Sequence, residues 1–448
     1  MSFSGRTADG QDACCCGLRP WNGRAGDTST PEYNQVSRLA SMTPKFYDFF
    51  AGAGLVTLAL QDSWQCIWAN DIDAKKELVY RQNFGGGWFV RKNIAEVEAD
   101  ELPDGAQMAW ASFPCQDLSL AGWRRGLSGE RSGTFWHFWR LMNERRQRGS
   151  KPPILVLENV VGLLYGDSFT ALCEGLAALG MQFGALVIDA RHFLPQSRPR
   201  VFIVAADADL DVGRFCSPAP EAPWTPPALT KAVNRFPPEL SELWRWWTMP
   251  IPNAVRPPLD AILEADAHVD RWHTAEETEH ILSLMSESHL AKINAARQLR
   301  GRHIGFLYRR IRQGVQRAEV RFDGVAGCLR TPQGGSSRQT ILIVENGQVR
   351  TRLLTPREAA RLMGVPDTFV LPPRYSDAYR AMGDGVAVPV VKWLSRHLLA
   401  PLARVCPAGS PAGVESQQMV PAFSDAPSRA MHWSPTHGKP SADRTSRA

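Results

Sequence analysis

Between Lys45 and Ala206 the chain alternates short apolar runs with amphipathic stretches, and no other feature narrows its fold as far. "KFYDFF" precedes "GLVTLALQD", "QCIWAN" precedes "DAKKELVYRQNF", and "AQMAWAS" precedes, past a polar loop, "SGTFWHFWRLMNERR". "PILVLENV" then leads into a helical stretch from Ser168 to Leu179, followed by "FGALVIDA" and "RVFIVAA". Apolar runs of this length separated by helices belong to a mostly parallel, doubly wound α/β sheet. Such sheets present ligands at the carboxyl ends of their strands, so the residues that follow each run are the candidates for chemistry.

The texture changes elsewhere. Residues 1–43 and 406–448 are rich in Gly, Ser, Pro and Ala without periodicity and are expected to be disordered tails. Residues 44–206 form the expected catalytic and cofactor-binding domain. Residues 207–345, dense in Pro and Trp and then in Arg, read as a smaller second domain of irregular or mixed structure, with a polar helical stretch near 275–300. Residues 346–405 return to helical patterning. In "TPREAARLMG", Thr355 is the expected N-cap, Pro356 the first helical residue and Glu358 the third position of a capping box. These last helices are expected to pack back on the first sheet.

Lys and Arg number 51 against 45 Asp and Glu, a formal charge of +6 that suits a polyanionic partner. The nine cysteines include no C-x-x-C pair, so they read as reduced thiols with no metal site, and Cys14-Cys15-Cys16 receive no role. No apolar leader and no 18-residue apolar run is present, and a cytoplasmic monomer away from membranes is expected.

Four segments carry the chemistry. "DFFAGAGL" puts Gly52 and Gly54 in a turn between strand and helix, where backbone approaches a ligand closely. The dinucleotide fingerprint is absent because Leu55 and Val56 follow Gly54. Asp71 in "WANDID" either hydrogen-bonds a ribose or caps the helix that starts near Asp73. In "SFPCQ", Cys115 follows Pro114 at a strand end, a place for a nucleophile, although most free cysteines are inert core residues. In "LVLENVV", Glu158 and Asn159 end an apolar strand, where partial loss of solvent favours a carboxylate that holds or shares a proton, or else a structural ion pair. Arg198 and Arg200 in "QSRPR" alternate into a strand and can point the same way.

In this order the segments resemble the DNA (cytosine-5)-methyltransferases, over nearly all of Lys45 to Leu402 apart from the middle domain. "FPCQ" is similar to the family's Pro-Cys, "ENV" to its Glu-Asn-Val and "QSRPR" to its Gln-x-Arg-x-Arg. "TPREAARLMGVPDTF" and "AMGDGVAVPVV" resemble its last two motifs. The resemblance implies a Rossmann-like S-adenosylmethionine-dependent methyltransferase sheet with an inserted target-recognition domain over 207–345. It further implies Cys115 as nucleophile, with Pro114, Glu158, Asn159, Arg198 and Arg200 around the base. Phe50, Ala51, Gly52, Ala53, Gly54, Leu55, Asp71, Ile72, Asn93, Ile94, Pro114, Asp384, Gly385 and Val386 would hold S-adenosylmethionine. Three positions depart from the family pattern: Asn93 stands where Asp is usual, Gly383-Asp384-Gly385-Val386 replaces Gly-Asn-Ser-Val, and Cys328-Leu329 replaces Thr-Leu.

A cytosine inside a duplex is out of reach of such groups, so the family's chemistry requires base flipping. Arg124, Arg125 and Arg131 in a glycine-containing loop, and Arg330, Ser336, Ser337 and Arg338 near "TPQGGSSRQ", are the expected contacts to double-stranded DNA. From Gly301 to Arg361 twelve arginines face four carboxylates, an electrostatic footprint of the same kind. Trp244, Trp246 and Trp247 could stack on bases, with a domain core the better-supported use. A cognate restriction endonuclease is implied as a functional partner. A non-catalytic DNA-binding protein has no need of the thiol, and a nicotinamide enzyme would need the third glycine. An RNA methyltransferase of the same family remains the closest alternative, disfavoured by the arginine-rich insertion.

Overall fold

The computed structural model describes residues 43–114, 133–253, 255–312, 314–329 and 338–406. Its centre is a seven-stranded sheet made of β1 (Lys45–Phe49), β2 (Gln65–Asp71), β3 (Phe89–Arg91), β4 (Met108–Ala111), β5 (Ile154–Val160), β6 (Met181–Asp189) and β7 (Pro199–Asp207). The spatial order is β3-β2-β1-β4-β5-β7-β6. All neighbours pair in parallel except β7, which runs antiparallel to both β5 and β6. This reversal matters for the site: the beginning of β7, not its end, meets the carboxyl edge of β5, with Val160 opposite Arg200.

Alternation along each strand feeds two cores. Met108, Trp110, Ile154 and Val156 face one layer with helix α1 (Leu55–Leu60), whereas Ala109, Ala111, Leu155 and Leu157 face the other. Helix α2 (Ala74–Phe84) follows β2. Helices α3 (Thr134–Gln147) and α4 (Ser168–Ala178) supply the second layer through Phe135, Phe138, Leu141, Leu172 and Leu176. Short strands Cys216–Ser217 (β8) and Trp246–Trp247 (β9) pair with each other. They lie beside β6, where Gly184 has no side chain and so admits the Arg245 carbonyl and the Trp247 ring. Trp244 and Trp247 are buried, which makes them core residues.

A four-stranded antiparallel sheet follows, ordered β11-β10-β12-β13, from β10 (Arg302–Arg312), β11 (Val315–Arg321), β12 (Thr340–Glu345) and β13 (Gln348–Leu353). Arginine density had masked its period-two pattern in the sequence. Helices α5 (Ala275–Ser283) and α6 (Glu287–Arg297) cover one face, packing Ile281 and Ile293, with Met285 of the segment between them, on Leu307, Ala318, Val320 and Leu342. From the other face Phe306, Ile341 and Ile343 join the core of the large sheet.

After the small sheet come α7 (Pro356–Leu362), α8 (Tyr375–Asp384) and α9 (Val388–Leu394); α9 packs in the same core as α1 and continues through a π-helical turn (Ser395–Leu399) into a short helix, Ala400–Ala403. The capping box of α7 is formed as its sequence predicts: Thr355 Oγ1 accepts the Glu358 N–H, and the Glu358 carboxylate accepts the Thr355 N–H at 2.8 Å.

Candidate active site

Three adjacent strands, β1, β4 and β5, bring their carboxyl ends together. After β1, Phe50 takes a left-handed backbone (φ 57°), unusual for a side chain of this size, and Gly52 and Gly54 share that region. The turn is tied to the next strand: the Ala51 N–H donates to the Asn70 carbonyl and the Gly52 N–H to Asp71 Oδ2, at 2.8 and 3.0 Å. Asp71 Oδ1 also accepts the Asp73 N–H, while Asp73 itself caps α2. The cap and the candidate ligand are thus different residues, and Asp71 sits against the glycine turn. Beside it Ile72 is 65% exposed, a large apolar side chain that no described residue covers. Asn93 uses its side-chain oxygen to accept the Ala95 N–H, and Ile94 is buried. A left-handed turn with room at Gly52, a nearby carboxylate and an uncovered apolar side chain fit the nucleoside part of a methyl donor.

Beneath the turn lies Asp48, fully buried. Thr57 Oγ1 donates to its Oδ2 at 2.8 Å, and Thr57 in turn meets the Tyr80 hydroxyl at 3.0 Å. Burial pushes the Asp48 carboxyl up to about 7, against the hydrogen bonds from Thr57 and helped by the charge of Asp71. Because the folded state keeps this proton above the ordinary value of 3.8, the associated stability is complete below that value and is lost as pH rises to about 7. In that window the loss is about 1.4 kcal/mol per pH unit. Asp48→Asn removes the titration and keeps an acceptor for Thr57. The wild-type midpoint of thermal unfolding is therefore expected to fall relative to Asp48→Asn between pH 5 and 7, and the difference to level off above. Parallel curves across that range would contradict the assignment.

On β5, Glu158 is 7% exposed and Arg200 Nε stands 3.2 Å from its Oε1. Asn159 turns the other way: its Nδ2 donates to the Phe113 carbonyl at 3.0 Å, so β5 holds the backbone that leads into Pro114. Pro114 is exposed at the edge. Cys115, Arg124, Arg125, Arg131, Arg330, Ser336 and Ser337 lie outside the described residues.

The two arginines of "QSRPR" have different partners. Arg198 is buried and donates to the carbonyls of Leu329 (3.0 Å), Gly383 (2.8 Å) and Gly385 (2.6 Å). Burial, with the like charge of Arg200 next, lowers its pKa to about 10, which still leaves it cationic near neutral pH. It clamps the end of α8 to the 328–329 segment, a role that its place in the motif did not reveal. Arg200 faces Glu158, and the Cys328 sulfur lies 3.9 Å from it and 3.4 Å from Arg198. Cys328 is thereby a neighbour of the site that sequence reasoning noted only as a departure.

At the cofactor side, Gly385 has no side chain because Leu55 occupies that space, and Val386 is buried. Asp384 pairs with Lys76 of α2 at 3.0 Å, which ties α8 to the helix after β2. Lys76 was not among the expected site residues, since a lysine on an amphipathic helix carries no local signal. Arg338 is half-buried with its guanidinium 4.9 Å from the centre of the Tyr375 ring.

The family described as C-5 cytosine-specific DNA methylase matches residues 44–400. The chain belongs to this family. As a C-5 cytosine methylase it uses a methyl donor and acts on DNA. It is 26% identical over 359 residues to the Type II methyltransferase M.HhaI of Haemophilus parahaemolyticus, covering 79% of this chain and 94% of the relative. The Type II methyltransferase M.HpaII of Haemophilus parainfluenzae is 27% identical, covering 80% and 90%. Among solved structures, the Entamoeba histolytica methyltransferase EhMeth shares the fold with a TM-score of 0.55 at 13% identity, covering 81% of this chain and 99% of that one. A Spodoptera frugiperda DNMT2 mutant gives 0.52 at 16% identity, covering 80% and 99%. The methylase sheet is therefore the seven-stranded one with its reversed β7. Among the described residues no helix is long and apolar enough to cross a membrane.

Proposed function

We propose that this methylase transfers the methyl group of S-adenosylmethionine to C5 of a cytosine flipped out of a specific duplex sequence, as the modification enzyme of a restriction-modification system. The observation that carries the residue assignment is the Glu158–Arg200 pair at the β5 edge, beside the backbone leading to Pro114 and Cys115.

Cytosine C5 is too weak a nucleophile to act unaided. The Cys115 thiolate adds to C6, forming a C–S bond and pushing the electron pair toward C5, while Glu158 holds or delivers a proton at N3. Arg200 keeps the Glu158 carboxylate in place, and Asn159 fixes the Phe113–Pro114 backbone that precedes Cys115 in the chain. When bound, the donor would supply an electrophilic methyl group to C5, its S–CH3 bond breaking with the electron pair left on sulfur so that the neutral thioether is the leaving group. After C5 is methylated, loss of its proton restores the double bond and expels Cys115 as thiolate. Phe50, Gly52, Asp71 and Ile72 hold the donor at the glycine turn, and Asp384, Gly385 and Val386 border it.

Such a protein works in the cytoplasm as a monomer, with a cognate endonuclease as its functional counterpart. The test is transfer of tritiated methyl from S-adenosylmethionine to unmethylated duplex DNA and to tRNA, with product nucleosides resolved. Label in 5-methyldeoxycytidine at a defined set of sites is the expected result. Label in tRNA alone, or in no nucleoside, would overturn the reading.

A further inference from the structure

Two charged residues stand at the wrong ends of their own helices. Lys76 lies in the first turn of α2, where the helix dipole is positive, and Asp384 is the last residue of α8, where it is negative. Local folding favours neither. Each is answered by the other: Lys76 Nζ lies 3.0 Å from Asp384 Oδ2, with the two side chains 17% and 30% exposed. The pair belongs to a set. Lys75 Nζ meets Asp377 Oδ1 at 2.9 Å, and Arg380 reaches Asp73 Oδ2 at 3.8 Å and Asp384 Oδ2 at 3.6 Å. Asp377, Arg380 and Asp384 recur at the spacing of one helix face, so α8 presents alternating charge to a complementary set at the start of α2. Apart from Pro372 and Ala381, the cleft between the two helices is lined by members of this set.

Its position makes this seam more than a surface network. Asp71 and Ile72 lead into α2, and Gly385 and Val386 follow α8, so the seam joins the two helix ends that border the methyl-donor site. Lys76 also approaches the glycine turn: a side chain added at Gly52 would meet its Cδ at 3.9 Å, so the lysine stem runs beside the turn and its ammonium continues to Asp384. On the other side the end of α8 is held by Arg198, through the carbonyls of Gly383 and Gly385. Held from both sides, the backbone of Asp384-Gly385-Val386 is preset. A preset wall costs a ligand less ordering than one assembled on binding.

We propose that Lys76 is a positioning residue of the methyl-donor site: through Asp384 it locks the end of α8 against the glycine turn and so sets donor affinity. The proposal rests on the binding of S-adenosylmethionine at that turn. Because the pair is partly exposed, salt screens it, and donor affinity inherits an ionic-strength dependence that S-adenosylhomocysteine, with no net charge, would not bring by itself.

The experiment measures binding of S-adenosylmethionine and S-adenosylhomocysteine to the full chain by calorimetry. It compares the wild type, Lys76→Met, Lys76→Arg, Asp384→Asn and the double variant Lys76→Met with Asp384→Asn. No binding of either ligand to the wild type would sink the underlying reading rather than the lock. Lys76→Met keeps the length of the side chain and removes its charge, and a melting curve like the wild type is the check on folding. It is expected to raise both dissociation constants by the same factor, about three- to fivefold, while Lys76→Arg stays within about twofold of the wild type. From about 50 mM to about 500 mM salt, wild-type affinity for S-adenosylhomocysteine is expected to fall about threefold and that of Lys76→Met to stay level. Lys76→Met is expected to add nothing once Asp384 is replaced. Tighter binding of the cationic S-adenosylmethionine alone would mean that the donor feels the lysine charge directly, and overturns the lock. Unchanged affinity in Lys76→Met, or an equal loss with and without the Asp384 carboxylate, overturns it too. The wild-type salt titration stands without any variant, and a level affinity there has the same consequence.

Discussion

Methyl transfer is expected to fall by about 10²- to 10⁴-fold in Glu158→Gln and to vanish in Cys115→Ala, with the cofactor product still bound in both. Glutamine keeps the size of Glu158 and a polar contact to Arg200, but it neither holds nor delivers a proton at cytosine N3. The geometry makes the substitution clean: Glu158 is buried at the strand end with Arg200 Nε at 3.2 Å, so the change removes a charge without opening a cavity. The measurement is single-turnover transfer at saturating DNA, together with calorimetric binding of S-adenosylhomocysteine. Transfer by Glu158→Gln within threefold of the wild type would refute the proton role. Residual transfer by Cys115→Ala would refute covalent addition at C6.

The largest effect on stability is expected away from the site. Arg352 and Glu358 are both fully buried and form a two-pronged ion pair, at 2.8 Å (Nη1 to Oε2) and 2.6 Å (Nη2 to Oε1). The same carboxylate accepts the Thr355 N–H of the capping box and the Glu264 N–H at 2.9 Å. Glu358→Ala leaves the Arg352 charge without its counter-ion and two backbone donors without their acceptor. A loss of about 3–5 kcal/mol in urea unfolding is expected. Replacing both partners, as Arg352→Met with Glu358→Leu, is expected to recover most of it, since the uncompensated charge rather than the lost attraction sets the cost. A loss below about 1 kcal/mol in the single variant would mean that water or another anion reaches Arg352.

Much of this was legible locally. The alternation of apolar runs and helices forecast a mostly parallel sheet, and the Thr355-Pro356-Glu358 box forecast the start of α7 to the residue, because a capping box is a contact between positions three apart. The candidate site was legible as a set of strand-end residues. Its internal arrangement was not. Arg198 and Arg200 look equivalent in the chain, yet one is enclosed by the carbonyls of Leu329, Gly383 and Gly385 and the other faces Glu158. Lys76 became a partner of Asp384 only because α2 and α8 meet, across more than three hundred residues of chain.

By itself the sequence determined most of the strands and helices between Lys45 and Ala206, where the glycine turn falls, and which reactive residue types stand at strand ends. These follow from side-chain periodicity, steric limits on the backbone and hydrogen bonds between near neighbours. Tertiary structure alone decided that β7 runs backwards, which brings Arg200 from a strand's beginning to Glu158 at another strand's end. It alone decided that Asp71 holds Gly52 while Asp73 caps the helix, and that β10 and β11 outreach their sheet. The physical reason is common to all three: strand direction, partner choice and ladder length depend on contacts between residues far apart in the chain, and no local pattern encodes them.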